Sequence, residues 1–288
     1  MRLNRHWDRR NLVAAAILLA LGVWIRWADW MDIWTIFRRD EEASHVILVP
    51  IVVAALVWVR RERLRRLQLR TSWLGPIVVA AGCLICYYGE GHGYQALRHF
   101  GAVTIAVGCL LATLGREVLF NFAPAFAALV FLIPMPPTFR QRISLPLMGV
   151  TAAVTQDLLN VLGVEVLRSG NQLLVNGKAV LIVEACNGLR MFFTIAMVSY
   201  LVAYFVPLRG YVRVLMVAST PVTAVVCNVI RLLPTVWVFG HESAETGAVF
   251  HDLSGWIMLP MALALQFSIM WILRWAMVPV SPFVLAKD

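Results

Sequence analysis

Charge is what this chain has least of. Only 14% of its 288 residues are Asp, Glu, Lys or Arg, against 60% hydrophobic. A soluble domain cannot hide that much apolar surface. Cysteine is sparse too. Five cysteines, mostly deep in apolar runs, exclude a disulfide framework. No second pair accompanies the C-x-x-C of Cys83 and Cys86, so it falls short of a metal or redox motif. Cys109 and Cys227 read most simply as packing residues. Internal repeats, low-complexity linkers and H-E-x-x-H are all missing. Acidic residues are outnumbered, 16 against 25 basic ones, for a net charge of +9. The arginines flank apolar runs and form no soluble basic domain, so nucleic acid is not an expected partner.

What is present is a series of apolar runs broken by arginine clusters, the pattern of a polytopic membrane protein. Eight membrane helices are predicted, over about 11–30, 44–60, 73–90, 99–114, 117–134, 188–207, 210–231 and 253–276. The basic N-terminus, Arg2 to Arg10 ahead of Leu12–Ile25, reads as an uncleaved anchor. Arg60 to Arg70, Arg116, Arg209, Arg213, Arg274 and Lys287 fall on the same side as the N-terminus. The positive-inside rule then puts both termini in the cytoplasm and the excess charge against anionic lipid. The expected fold class is an all-α polytopic membrane protein, a single domain over 1–288 with an outer insertion at about 135–186.

That insertion begins at Pro134-Met135-Pro136-Pro137, which ends the fifth helix. Ser144–Leu162 mixes apolar residues with Thr155, Gln156, Asp157 and Asn160 and predicts a short amphipathic helix at the interface. Asn176-Gly177 between Gln172–Val175 and Lys178–Val183 predicts a β-hairpin, because a type I′ turn needs positive φ at both central residues. The hairpin leads directly to Glu184-Ala185-Cys186-Asn187-Gly188-Leu189-Arg190.

Helix parity gathers three residues on the outer face. Cys186 precedes helix six near Asn187, Arg231 ends helix seven, and His251 precedes helix eight. A thiol, a guanidinium and an imidazole are the parts of a cysteine acyl-transfer site. A helix N-terminus and a nearby cation favour the thiolate. His251 can move the proton, and Arg231 can stabilise negative charge. Taken singly, each also has a plain reading: Cys186 as packing, Arg231 snorkelling to headgroups, His251 at the interface. Glu184 and Arg190 either support the site or pair across a helix start. His241-Glu242-Ser243-Ala244-Glu245 with His251-Asp252 offers a metal-site alternative, with His241 and Glu245 on one face if that loop is helical. A non-enzymatic transporter or assembly factor is a further alternative. No cofactor is called for.

At these residues the chain resembles the exosortase/archaeosortase family of membrane transpeptidases. The matching pieces are Val183 to Arg190, Asn228-Val229-Ile230-Arg231, and Phe250-His251-Asp252 with Gly255; Ser44-His45 also fits the pattern. Many relatives carry Ser at the position of Asn187. The resemblance implies a bacterial inner-membrane enzyme with Cys186 as nucleophile, Arg231 and His251 as partners, and Asn228 and Asp252 in support. The implied substrates are exported proteins with a C-terminal Pro-Glu-Pro-like motif, a membrane helix and a basic tail. The acyl group would pass to an acceptor during surface or polysaccharide-linked sorting.

Alkaline-phosphatase fusions test the orientation. A fusion at Arg66 should be inactive and one near Arg140 active; the reverse pattern would overturn the topology.

Overall fold

A computed structural model describes residues 9–64, 67, 70–170, 172–181 and 188–276. They fall into two compact units, Met1–Leu147 with Asn187–Met197, and Met148–Cys186 with Val198–Asp288. The first unit contains α1 (Arg9–Ile25), α2 (Trp27–Arg39), a 3-10 segment (Glu41–Ile47), α3 (Leu48–Val59), the short α4 (Arg61–Leu64), α5 (Leu74–His92), α6 (Gln95–Leu114), α7 (Arg116–Asn121) and α8 (Ala123–Ala128). Helices α9 (Pro137–Val161) and α10 (Gly188–Phe205) contribute residues to both units. The second unit adds β1 (Val166–Ser169), β2 (Gln172–Val175), β3 (Lys178–Leu181), α11 (Gly210–Ala218), α12 (Thr220–His241) and α13 (Ala244–Ala276).

Among the described residues, four segments are long and apolar enough to cross a bilayer: Leu74–His92, Gln95–Leu114, Gly210–His241 and Leu253–Trp275. A fifth exists if α1 and α2, bent by 75° at Arg26, count as one. The eight expected spans are therefore not all found. His45–Val59, Ala123–Leu132 and Met191–Phe205 are apolar but shorter. At about 1.5 Å per residue they reach about 15–23 Å, below a hydrocarbon core of about 30 Å. The expected 117–134 span is broken at Phe122, where Pro124 starts a new helix.

The bend at Arg26 is held by polar contacts. Its guanidinium bonds Asp29 at 2.6 Å and Glu90 at 2.7 Å. Asp29, almost wholly buried, also accepts from Arg98 at 2.7 Å. One turn on, Asp32 accepts from Gln95 at 2.7 Å and meets His99 at 3.0 Å. Helix α2 thus turns its acidic face inward. Trp27, Met31 and Trp34 remain exposed, with Arg38 stacked over Trp34.

Helices α5 and α6 pack most closely. Gly75, Gly82 and Gly89 recur every seven residues on α5, and buried Gly101 and Gly108 face them from α6. A Cβ on Gly108 would lie 2.8 Å from the Val79 backbone nitrogen and 3.1 Å from the Gly75 carbonyl oxygen. Backbone cannot move aside as a side chain can. Small residues let membrane helices approach and gain dispersion where hydrophobic burial contributes little. Cys86, Cys109 and Ile105 fill the same packing cluster, which supports the packing role expected for Cys109.

The sheet of the second unit is antiparallel, in the order β1-β2-β3. The hairpin predicted at Asn176-Gly177 is present. Val175 pairs with Lys178, and the turn residues have φ of 51° and 75°, the left-handed pair that Asn-Gly adopts. Strand β1 was not foreseen. The polar residues of 144–162 explain how it is accommodated. Asn160 Oδ1 accepts from the Val166 N–H at 3.0 Å, and Gln156 Nε2 donates to the Val166 carbonyl at 3.2 Å. These side chains cap the outer edge of β1, and Thr155 is buried. The helix itself runs longer than the expected 144–162, over Pro137–Val161.

Substituting Gly108→Leu should cost about 1–3 kcal/mol of stability through overpacking, read as a lower midpoint of thermal unfolding in detergent. Gly91→Ala, where an added Cβ meets nothing within 4 Å, should cause no loss. An unchanged midpoint for Gly108→Leu would refute close helix approach.

Candidate active site

Two of the three expected residues, Arg231 and His251, do not sit at helix ends. Helix α12 continues ten residues beyond Arg231 to His241, and α13 starts at Ala244, seven residues before His251. The predicted helix ended where a charge met an apolar run. The folded chain continues because that charge is buried and partnered. Arg231 is 8% exposed, and its Nε donates to the Ser254 hydroxyl on α13 at 3.2 Å. A Cβ on Gly255 would lie 3.8 Å from Arg231 Nη2, so the guanidinium rests against the α13 backbone there.

The two helices run antiparallel. Thr223 accepts from Gln266 at 3.1 Å near one end, and Arg231 donates to Ser254 further along. His251 precedes Ser254 by three residues and Gly255 by four, so its backbone lies on the same side of α13, one turn nearer the α12 C-terminus. Asn228, three residues before Arg231, shares the Arg231 face of α12. It is 4% exposed, and its Oδ1 has no partner among the described residues. Pro234 lies within α12 and has no N–H for the Ile230 carbonyl. Beside it, the Thr235 hydroxyl donates to the Arg231 carbonyl at 2.7 Å.

The sheet is fixed to the same helix. Leu173, Val175 and Val180 share a core cluster with Leu232 and Val236 of α12 and with Ala152 and Leu159 of α9. Lys178 Nζ donates to the Glu242 carbonyl at 2.9 Å. Gly240 gives the sheet room, since a Cβ there would lie 2.6 Å from Val175 Cγ1. Strand β3 ends at Leu181, five residues before Cys186. Five extended residues reach about 17 Å.

Glu184, Cys186 and Asn187 lie outside the described residues, as do the side chains of Arg190, His251 and Asp252. The backbone of Arg190 lies in α10, and those of His251 and Asp252 lie in α13. In the first unit, His45 is buried and stacks on Phe193 of α10 at 4.9 Å, five residues into that helix. The condition set for a metal face fails: His241 ends α12 and Glu245 belongs to α13, with Glu242 and Ser243 non-helical between them. His241 Nδ1 is within hydrogen-bond distance of the Trp237 carbonyl, at 2.9 Å.

Sequence reasoning missed Ser254. Its signal was periodicity: Ser254 is the polar residue one turn after His251, beside Gly255. Neither a serine nor a glycine alone marks a site.

A family model for transmembrane exosortase matches residues 27–268. That span covers both units and every residue of the constellation. The chain belongs to the transmembrane exosortase family and is a multi-pass membrane protein. No curated protein and no solved structure matches it.

Replacing Gly240 by Leu should push Val175 away and disturb the strand pair that leads to Cys186. Substrate processing should fall by about tenfold or more, given an overpacking cost of about 1–3 kcal/mol. Wild-type processing in Gly240→Leu would show that sheet docking does not matter to the site.

Proposed function

We propose that the protein is a membrane-embedded cysteine protease/transpeptidase that cleaves C-terminal sorting signals of exported proteins. Its chemistry is assigned to Cys186, Arg231 and His251. The observation that carries the reading is the buried Arg231 on α12, held against Ser254 and Gly255 of α13 one turn from the His251 backbone. An arginine in a membrane helix is costly and usually marks a function. The sheet gives further support, since β3 packs in the Leu232 cluster and leads within five residues to Cys186.

The reaction proceeds in two balanced stages. His251 takes the proton of the Cys186 thiol, and the thiolate attacks the substrate carbonyl carbon. A C–S bond forms, and Arg231 stabilises the oxyanion. Collapse breaks the C–N bond, and His251 gives its proton to the departing amine. An acceptor amine, hydroxyl or water then attacks the thioester carbonyl and loses its proton to His251. The C–S bond breaks, and Cys186 regains the proton. Glu184, Asn187, Arg190, Asn228 and Asp252 support this site, and no metal or cofactor enters it.

The site is placed at the periplasmic face of a bacterial inner membrane, in a single domain with both termini cytoplasmic. Within the first unit, contacts join segments that this topology assigns to the same side. Asp40 pairs with Arg140 at 3.0 Å, and Arg26 with Glu90 at 2.7 Å, all on the assigned outer side. Arg60 and Arg63 donate to the Asn121 carbonyl on the assigned inner side. The proposed partners are lipid, an acceptor, and exported proteins with a Pro-Glu-Pro-like motif, a membrane helix and a basic tail. That helix would pack laterally among the enzyme's helices, with its tail on the cytoplasmic side.

Co-expression with a sorting-signal protein tests the mechanism. Cys186→Ala and Cys186→Ser should abolish processing while the protein stays in the membrane. Joint replacement of Cys83, Cys86, Cys109 and Cys227 by Ala should leave most activity. Arg231→Lys keeps charge but loses the planar fork. It and His251→Ala should each lose on the order of 10²–10⁴-fold in rate. Retained processing in Cys186→Ala would sink the reading.

A further inference from the structure

We infer that Ser254 is a positioning residue that sets the plane of the Arg231 guanidinium. This rests on the role proposed for Arg231 and adds a residue that the motif does not include. An arginine on a membrane helix has a long, flexible side chain that tends to snorkel toward the nearest water. Here it is held instead. Both residues are buried, 8% exposed each, and Nε donates to Ser254 Oγ at 3.2 Å across the α12–α13 interface.

Nε is the inner corner of the fork. A bond at that corner, together with the stem of the side chain, fixes the orientation of the guanidinium plane. The two Nη groups then have set directions. Oxyanion stabilisation depends on donors already in place when charge develops. An added Cβ on Gly255 would make ordinary contact with Nη2 at 3.8 Å, so this edge of the guanidinium lies close along α13. At the arginine's base, the Thr235 hydroxyl holds the Arg231 carbonyl at 2.7 Å next to the proline-interrupted turn. Ser254 thus acts through Arg231 and does not touch the substrate.

The test uses full-length protein in membranes, with Cys83, Cys86, Cys109 and Cys227 replaced by Ala so that iodoacetamide reports on Cys186 alone. If Arg231 stabilises the thiolate from a fixed position, Ser254→Ala should slow alkylation at neutral pH by about tenfold. Ser254→Thr keeps the hydroxyl and should restore the rate to within about threefold. An increase in the alkylation rate would count against the proposal. An unchanged rate in Ser254→Ala, or equal slowing in Ser254→Thr, would overturn it. With a sorting-signal substrate, Ser254→Ala should lower kcat and leave KM nearly unchanged. Processing that survives Cys186→Ala would defeat the functional reading itself. An inactive Cys186→Ala beside a fully active Ser254→Ala would defeat only the role of Ser254.

Discussion

The second unit is organised around one unfavourable group made tolerable: a guanidinium inside an apolar helix pair. Arg231 cannot sit in that setting without polar company. Its hydrogen bond to Ser254 and its approach to Gly255 bring α12 and α13 together at a defined register. The Thr223–Gln266 bond reinforces that register further along the pair. From this follow the position of the His251 backbone and of the α12 surface on which the sheet packs. Buried Asn228, Thr223 and Gln266 extend the same polar face between the two helices.

The legible parts of the fold were those with local causes. Asn176-Gly177 announced its own turn, because few other dipeptides accept two positive φ values. The α5 and α6 spans were clear because their charges lie at or near the ends. The misread parts depended on partners far along the chain. A window of residues sees Arg231 as the end of a helix, since it cannot see Ser254 twenty-three positions later. Gln156 and Asn160 were read as facing the interface, yet they serve the edge of a strand that local pattern did not reveal. The bend at Arg26 was hidden for the same reason, since Arg98 and Glu90 lie more than sixty residues away.

The proposed constellation rests on chemistry more than on geometry. Three functional groups on one side were inferred from helix parity, with the helix ends misplaced by ten residues at Arg231. The error moved Arg231 from a water-exposed end to a buried mid-helix position. That change matters chemically. A guanidinium held in low dielectric exerts a stronger field than one washed by solvent. The same family membership is consistent with both placements; burial separates them.

The glycine contact between α5 and α6 has a consequence for how the first unit comes together. A helix inserted in a bilayer has already lost its backbone freedom before it meets a neighbour. Glycine then has no rotamers left to freeze at the interface. Leucines meeting there would each give up side-chain motion, and methionines more. Association of α5 with α6 therefore carries no side-chain entropic penalty at the glycine positions, and warming should loosen that seam less than one built only from long side chains.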